Sequence, residues 1–362
     1  MALTPYTLHK AALLPLLDSS GDQLGPNILA TILAEGEGVF ADFVVDQGLA
    51  SLWHERLLGV VGEPFSSIFL QRLKTERFNA AAVYLLQKNA LTTIRSVLDA
   101  QGIAHVVFKG AHFRELIYPQ PAVRVASDID LLVAPEDRHA AIEALGEAGF
   151  SPSANLENLS HELTLSKGYL DIDLHWDILR PGRTRIPLTG EILRQRVDYT
   201  THWGPAPEAT LFVMLVHPVL TKYCTTPYSS VIRLLDIVLW MERQKPDWEG
   251  VAELLERAGL KTAAWIMLEW LRLLTGRVPP EEFMQVIRPG KWRQRYLASW
   301  IAGNYSTRFL DRPLLIQLAF TLPAHDRFGD ALRAVRAILR ARREAADEQV
   351  PSPSIEQTSQ QP

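Results

Sequence analysis

The chain has 362 residues, of which 47% are apolar and 22% charged, with 21 Gly and 23 Pro, a composition that excludes collagen-like, low-complexity and mainly disordered proteins. Its length is about twice that of one ordinary domain. A formal net charge of −4 gives no overall cationic field for wholesale nucleic-acid or membrane binding, and a single cysteine, Cys224, rules out an internal disulfide or a Cys-based zinc cluster.

Up to about Ala100 the apolar residues recur at helical spacing, most clearly Leu70, Leu73, Phe78, Ala81, Leu85, Leu86, Ile94, Val97 and Leu98, which predicts a helical N-terminal segment over 1–100. At Gly102 the pattern changes to short apolar runs, Val106–Phe108, Ile129–Val133, Leu163–Ser166 and Tyr169–Trp176, which read as strands. Between them Pro135 to Ala148 carries the punctuation of one helix, so 101–204 reads as a core of strands and helices. Lys167 and Gly168 separate two alternating segments and predict a tight hairpin in which Leu163 faces Ile172 and Glu162 faces Asp173. Helical spacing returns in Leu211–Leu220, Val231–Met241, Val251–Ala258, Ala263–Leu274 and Ala331–Arg343, which defines a helical C-terminal domain over 205–345. The Gln-, Ser- and Pro-rich residues 346–362 read as a disordered tail. No run reaches about 18 uninterrupted apolar residues, and the first residues lack a basic stretch followed by an apolar one. A cytoplasmic location is therefore expected.

The most informative segment is Arg124 to Val133. Alternation on a strand puts Asp128 and Asp130 on one side and Ile129, Leu131 and Val133 in a core. Two carboxylates that close disfavour each other's ionisation, and a hard divalent ion such as Mg²⁺ relieves the cost. Asp173 sits on a strand whose other face is Leu170, Ile172, Leu174 and Trp176, so it is placed to complete a two-metal clamp; Asp171 and His175 share its face and are accessory candidates. Lys109 and Gly110 follow a strand and open a helix, where a glycine admits a phosphate close to the backbone and a lysine adds positive charge. Arg124 and Ser127 are further candidates for phosphate contact.

These residues resemble the polymerase-β-like nucleotidyltransferase superfamily, and within it the bacterial group described as uncharacterised nucleotidyltransferases. The resemblance rests on Phe-Lys-Gly at 108–110, Arg-x-x-Ser-Asp-Ile-Asp-Leu-Leu-Val at 124–133 and Asp-Leu-His-Trp at 173–176, and covers roughly 75–245. His217 and Arg233-Leu-Leu-Asp236 look like the helical features that follow the core in this group. The resemblance implies an α+β fold, a short mixed sheet with flanking helices, and transfer of a nucleoside monophosphate from an NTP with release of pyrophosphate. It also implies two Mg²⁺ ions held by Asp128, Asp130 and Asp173, with Lys109, Gly110, Arg124 and Ser127 at the nucleotide. Unlike the superfamily's usual Gly-Gly or Gly-Ser, Gly110 is followed here by Ala111 and His112.

Structural explanations compete for several residues. Arg233 and Asp236, at i and i+3 on a helix, would pair with each other by default. His112, His161 and His217 read as structural, Asp171 as the partner of Thr164 across the hairpin, and Arg333, Arg336, Arg340, Arg342 and Arg343 as a solvated helix end. Glu162, placed opposite Asp173, would repel it unless a cation lies nearby. Replacing Asp130 by Asn is expected to leave the fold unharmed or slightly stabilised, because a like-charge pair disappears. Few cations flank the acids, so the expected acceptor is a small molecule, peptide or protein; the alternatives are a tRNA-modifying toxin and a non-catalytic nucleotide-binding module.

Overall fold

The computed structural model describes residues 5–18, 24–58, 60, 65–153 and 162–347. Four helices lead in: α1 (Thr7–Leu17), α2 (Pro26–Glu35), α3 (Glu37–Asp46) and α4 (Ala50–Leu58). They are followed by α5 (Ser67–Ala100), 34 residues long, whose first turn is capped by the Ser66 hydroxyl accepting from the Phe69 N–H. Strand β1 (His105–Phe108) then runs straight into α6 (Lys109–Ile117), and β2 (Ile129–Val133) leads through a short turn to α7 (Arg138–Glu147). The sheet is completed by β3 (Ser151–Pro152), β4 (Glu162–Lys167) and β5 (Leu170–His175).

The strand order is β1-β2-β5-β4-β3, with β2 and β5 parallel and the other neighbours antiparallel, so the protein is α+β with a small mixed sheet. A short connection, α8 (Thr189–Arg194) with the two-residue strands β6 (Val197–Asp198) and β7 (Trp203–Gly204), precedes the C-terminal helices. These are α9 (Pro207–Lys222), α10 (Ile232–Gln244), α11 (Trp248–Ala258), α12 (Lys261–Thr275), α13 (Glu281–Ile287) and α14 (Lys291–Ala302). Two single turns, α15 (Tyr305–Arg308) and α16 (Pro313–Ile316), lead to the terminal helix α17 (Phe328–Asp347).

Alternation on the strands divides the core. Val107, Ile129, Leu131, Val133, Leu163, Leu165, Ile172 and Leu174 face α7 and the second half of α5, where Leu91, Ile94 and Leu98 cover them. Val106, Phe108 and Leu132 point the other way and join a larger cluster that runs from α1 through Phe69 and Leu73 of α5 into α9 to α14, with Trp265 and Trp270 buried in it. The longest helix thus carries both cores. Its expected stripe is only partly interior: Leu70, Phe78, Leu85 and Leu86 are exposed, because a 34-residue helix covered on alternate sides along its length cannot bury one continuous face.

The hairpin differs from expectation by two residues. Gly168 and Tyr169 form the loop, Gly168 supplying the positive φ of +61°, so Leu163 pairs with Leu174 and Glu162 with His175. A two-residue shift preserves which face each side chain occupies but changes every cross-strand partner. Asp171 accordingly lies opposite Ser166 and Asp173 opposite Thr164, and Glu162 does not face Asp173. The terminal helix packs back on the loop after β5: Arg185 pairs with Asp330 at 2.7 Å, and a Cβ at Gly182 would lie 2.5 Å from that of Ala337. His161 and the tail 348–362 lie outside the described residues. No helix among the described residues is long and apolar enough to cross a membrane.

Candidate active site

Asp130 and Asp173 are direct neighbours across the parallel β2–β5 pair, so strand geometry alone brings their side chains to the same face. Asp128 lies just before β2, and His175, two residues on from Asp173, falls opposite Leu132. Ligating atoms of Asp130, Asp173 and His175 all lie within 4.8 Å of one another, a spacing that suits one ion.

The acids are held in different states. Asp130 is almost completely buried, and its Oδ1 accepts both from Lys109 Nζ at 2.5 Å and from His175 Nε2 at 2.9 Å. Burial alone would raise its pKa, but the ammonium and the imidazole outweigh burial and hold the carboxyl well below the usual range. Asp128 is pushed the other way, up to about 6, by burial and then by the charges of Asp130 and Asp173. Asp173 accepts from the Thr164 hydroxyl at 2.7 Å. Glu162 Oε2 lies 3.3 Å from His175 Nδ1, so the acid expected to repel Asp173 serves as the imidazole's second partner. Asp171 is exposed and accepts from Ser166 at 2.6 Å, toward the far end of the hairpin.

Lys109 reaches Asp130 from a left-handed backbone, φ +55°, which a residue with a Cβ adopts at a cost of about 1 kcal/mol; such strain concentrates at functional positions. Gly110 serves a different purpose from the one its sequence context implies. The space over it is filled by Arg124, whose Nη1 would lie 2.7 Å from an added Cβ. Arg124 is itself committed: Nη2 donates to Asp236 Oδ2 at 2.6 Å and Nη1 to the Val125 carbonyl at 2.5 Å. Asp236 also accepts from the Tyr118 hydroxyl at 2.7 Å. The expected Arg233–Asp236 pair is therefore absent, since the buried Asp236 is saturated by partners from the sheet side of the molecule. Ser127 is exposed, and the loop carrying it is pinned from α5 by Gln87, whose amide donates to the Ala126 carbonyl at 3.1 Å.

These groups form the floor of a cleft of about 420 Å³ whose walls come from three distant parts of the chain. Val45, Asp46 and Gly48 enter from the end of α3, Arg180 from the loop after β5, and His217, Lys222 and Arg233 from α9 and α10. Sequence reasoning missed Gln87, Arg180 and Lys222 as neighbours of the site; the one signal in the sequence was a polar Gln87 on an otherwise apolar helical stripe, and the structure buries it fully. His217 is held neutral by burial and then by the surrounding cations Lys109 and Arg233. His112, by contrast, is structural, with Nδ1 2.9 Å from His202 and Nε2 3.2 Å from Thr210. No described residue of α17 lines the cleft, and Arg333 is paired with Asp330.

Residues 37–276 match the family described as uncharacterised nucleotidyltransferase. No curated protein matches the chain. The solution structure of the antibiotic-resistance factor ANT(2'')-Ia is similar to 48% of this chain and 90% of that one, at 14% identity and a TM-score of 0.34.

Proposed function

This chain belongs to the uncharacterised nucleotidyltransferase family, and from that premise we propose that it transfers a nucleoside monophosphate from an NTP to a hydroxyl or similar acceptor on a small molecule, peptide or protein, releasing pyrophosphate. The observation that carries the reading is the convergence of Asp128, Asp130 and Asp173 on the floor of a cleft rimmed by cations, with His175 buried behind Asp130 and close enough to join it and Asp173 at one ion.

The donor set fits Mg²⁺. Carboxylate oxygens are its preferred protein ligands, and Asp128, whose proton affinity is raised first by burial and then by the charges of Asp130 and Asp173, lies where a divalent ion would relieve that repulsion. When bound, Mg²⁺ supplies charge neutralisation at the transferring phosphoryl group and acidifies the acceptor hydroxyl. Asp128 and Asp130 would hold two such ions, and Asp173 would hold the one nearer the acceptor and take the acceptor's proton. Thr164 fixes the rotamer of Asp173, while His175, backed by Glu162, orients Asp130. Lys109 neutralises Asp130 in the absence of substrate and would turn to phosphate as that role passes to the metal. Ser127, exposed at the mouth, would donate to a phosphate oxygen.

An acceptor other than nucleic acid is favoured by the balance of charge at the cleft, where Asp46, Asp128, Asp130, Glu162 and Asp173 face a similar number of cations. The direct test is incubation with each α-labelled NTP, Mg²⁺ and a cell extract, followed by identification of what acquires label. Label on protein or a small molecule fits the proposal. Label on tRNA 3′ ends would replace that acceptor class, and NTP binding without any labelled product would leave a nucleotide-binding module instead.

A further inference from the structure

Five cations line the cleft, and two of them are spoken for: Lys109 by Asp130, Arg124 by Asp236. Among the described residues, Arg180, Lys222 and Arg233 have no carboxylate within ion-pair distance, and Arg233 is the least solvated of the three. It sits in the first turn of α10, with its Nε shielded from solvent and no hydrogen-bond partner among the described residues. Burial and the adjacent Arg124 both work against its charge. A guanidinium that is half-buried beside another guanidinium and without an ion-pair partner carries a desolvation cost that the more distant carboxylates of Asp236, Asp130 and Asp128 offset only in part.

The cost has an identifiable origin. Asp236, one turn further along α10, would be the natural partner, but it turns instead to Arg124 and Tyr118. The Arg124–Asp236 bridge thereby ties α10 to the loop before β2 and leaves Arg233 lining the cleft, together with Lys109 and His217. The guanidinium fork matches phosphate oxygens bidentately, and Lys222, at the end of α9, lies on the same wall.

Resting on the nucleotidyl-transfer reading above, we propose that Arg233, assisted by Lys222, binds the β- and γ-phosphates of the donor nucleotide, and that Arg124 is a positioning residue that presents Arg233 rather than a phosphate ligand. The helical half of the molecule thus recognises the leaving pyrophosphate, and the sheet half handles the transferred phosphoryl group.

The test is titration calorimetry of the full chain with a non-hydrolysable NTP and with the corresponding NMP, both in Mg²⁺. Wild type should prefer the triphosphate. Arg233→Ala should weaken NTP binding about tenfold or more while changing NMP binding less than about twofold, since only the outer phosphates are lost as partners. Arg233→Lys should recover part of the preference, and Lys222→Ala, at a partly exposed position with no ion-pair partner, should reduce it in the same direction. Thermal melts establish that the variants remain folded; should Arg233→Ala fail to fold, the Lys222→Ala and Arg233→Lys titrations decide the matter. Equal losses for NTP and NMP would mean a structural role and overturn the inference, as would unchanged NTP affinity. A wild-type protein that binds NTP no better than NMP overturns it as well, and one that binds neither sinks the nucleotidyl-transfer reading beneath it.

Discussion

The floor and the wall of the cleft are built on opposite principles. On the floor two of the three acids have fixed neighbours, Lys109 and His175 on Asp130 and Thr164 on Asp173, and Asp128 is the exception. On the wall the cations Arg233 and Lys222 stand without acids, and the turn between α9 and α10 carries two consecutive left-handed residues, Tyr223 at φ +58° and Cys224 at φ +59°. Regular strands organise the first through local alternation. The second depends on contacts between residues far apart in sequence, and its strain is retained because buried packing around Cys224 fixes it. Apart from Asp128, the floor is preorganised by internal compensation, whereas the wall keeps charge without an ion-pair partner for a ligand to complete.

The comparison breaks most visibly at Asp130. Asparagine there removes the partner of a largely buried ammonium and of His175, so transfer should fall to background and the fold should lose about 2–4 kcal/mol in a denaturant titration. This reverses the expectation drawn from like-charge repulsion alone. The repulsion is real, but it falls on Asp128, because Asp130 alone holds the lysine. A variant at least as stable as wild type would show that Lys109 is not the counter-ion described here.

The seam between floor and wall is next. Asp236→Asn leaves Arg124 buried with its bridge weakened, and should cost about 2–3 kcal/mol. Replacing both partners by apolar residues, Arg124→Met with Asp236→Leu, should restore much of that stability, yet NTP binding should remain impaired because α10 has lost its anchor. Recovery of binding in the double variant would mean that the bridge does not position the wall.

Asp128 and Asp130 should also give stability opposite slopes with pH. The folded-state pKa of Asp128 is raised from 3.8 to about 6, so its contribution is fully present below pH 3.8 and is lost as pH rises through about 6. The depressed Asp130 contributes above pH 3.8 and loses its contribution as pH falls through its folded value. Without Mg²⁺, the stability difference between Asp128→Asn and wild type should therefore grow in the variant's favour as pH rises from about 4 through about 6, reaching about 1–2 kcal/mol at pH 7, a range reduced for partial exposure. Mg²⁺ should stabilise wild type more than this variant. Urea titrations at four pH values with and without Mg²⁺ check both statements, and a pH-independent difference between variant and wild type would remove Asp128 from the acid cluster.

Much of the floor was legible in the sequence because a period of two assigns faces without knowledge of the rest of the chain: Asp128, Asp130, Asp173 and His175 could all be placed from Ile129–Val133 and Leu170–Trp176. The hairpin register was less so, since Lys-Gly and Gly-Tyr are both acceptable two-residue loops, and only packing of Leu163 on Leu174 selects between them. The wall was not legible. Asp236 lies one helical turn from Arg233 but joins Arg124, 112 residues away in sequence, and no local pattern decides between them. The same holds for the Val231 N–H donating to Gln47, a contact between residues 184 apart that seats the start of α10 on the N-terminal helices.

The smallest effect should come from Asp171, and it tests whether alternation alone makes a floor residue. Asp171 shares its face with Asp173, which is why it entered as an accessory candidate, but it is exposed, lies outside the lining of the cleft, and has its own local partner in Ser166. A side chain one strand repeat further from the acid cluster, in contact with water, interacts with a bound cation through a high dielectric and adds little to metal affinity. Asp171→Asn retains an acceptor for the Ser166 hydroxyl, so stability should stay within about 0.5 kcal/mol of wild type and label transfer within about twofold. A loss of transfer comparable to that of Asp173→Asn, with unchanged stability, would extend the floor outward along β5 and make Asp171 one of its working acids.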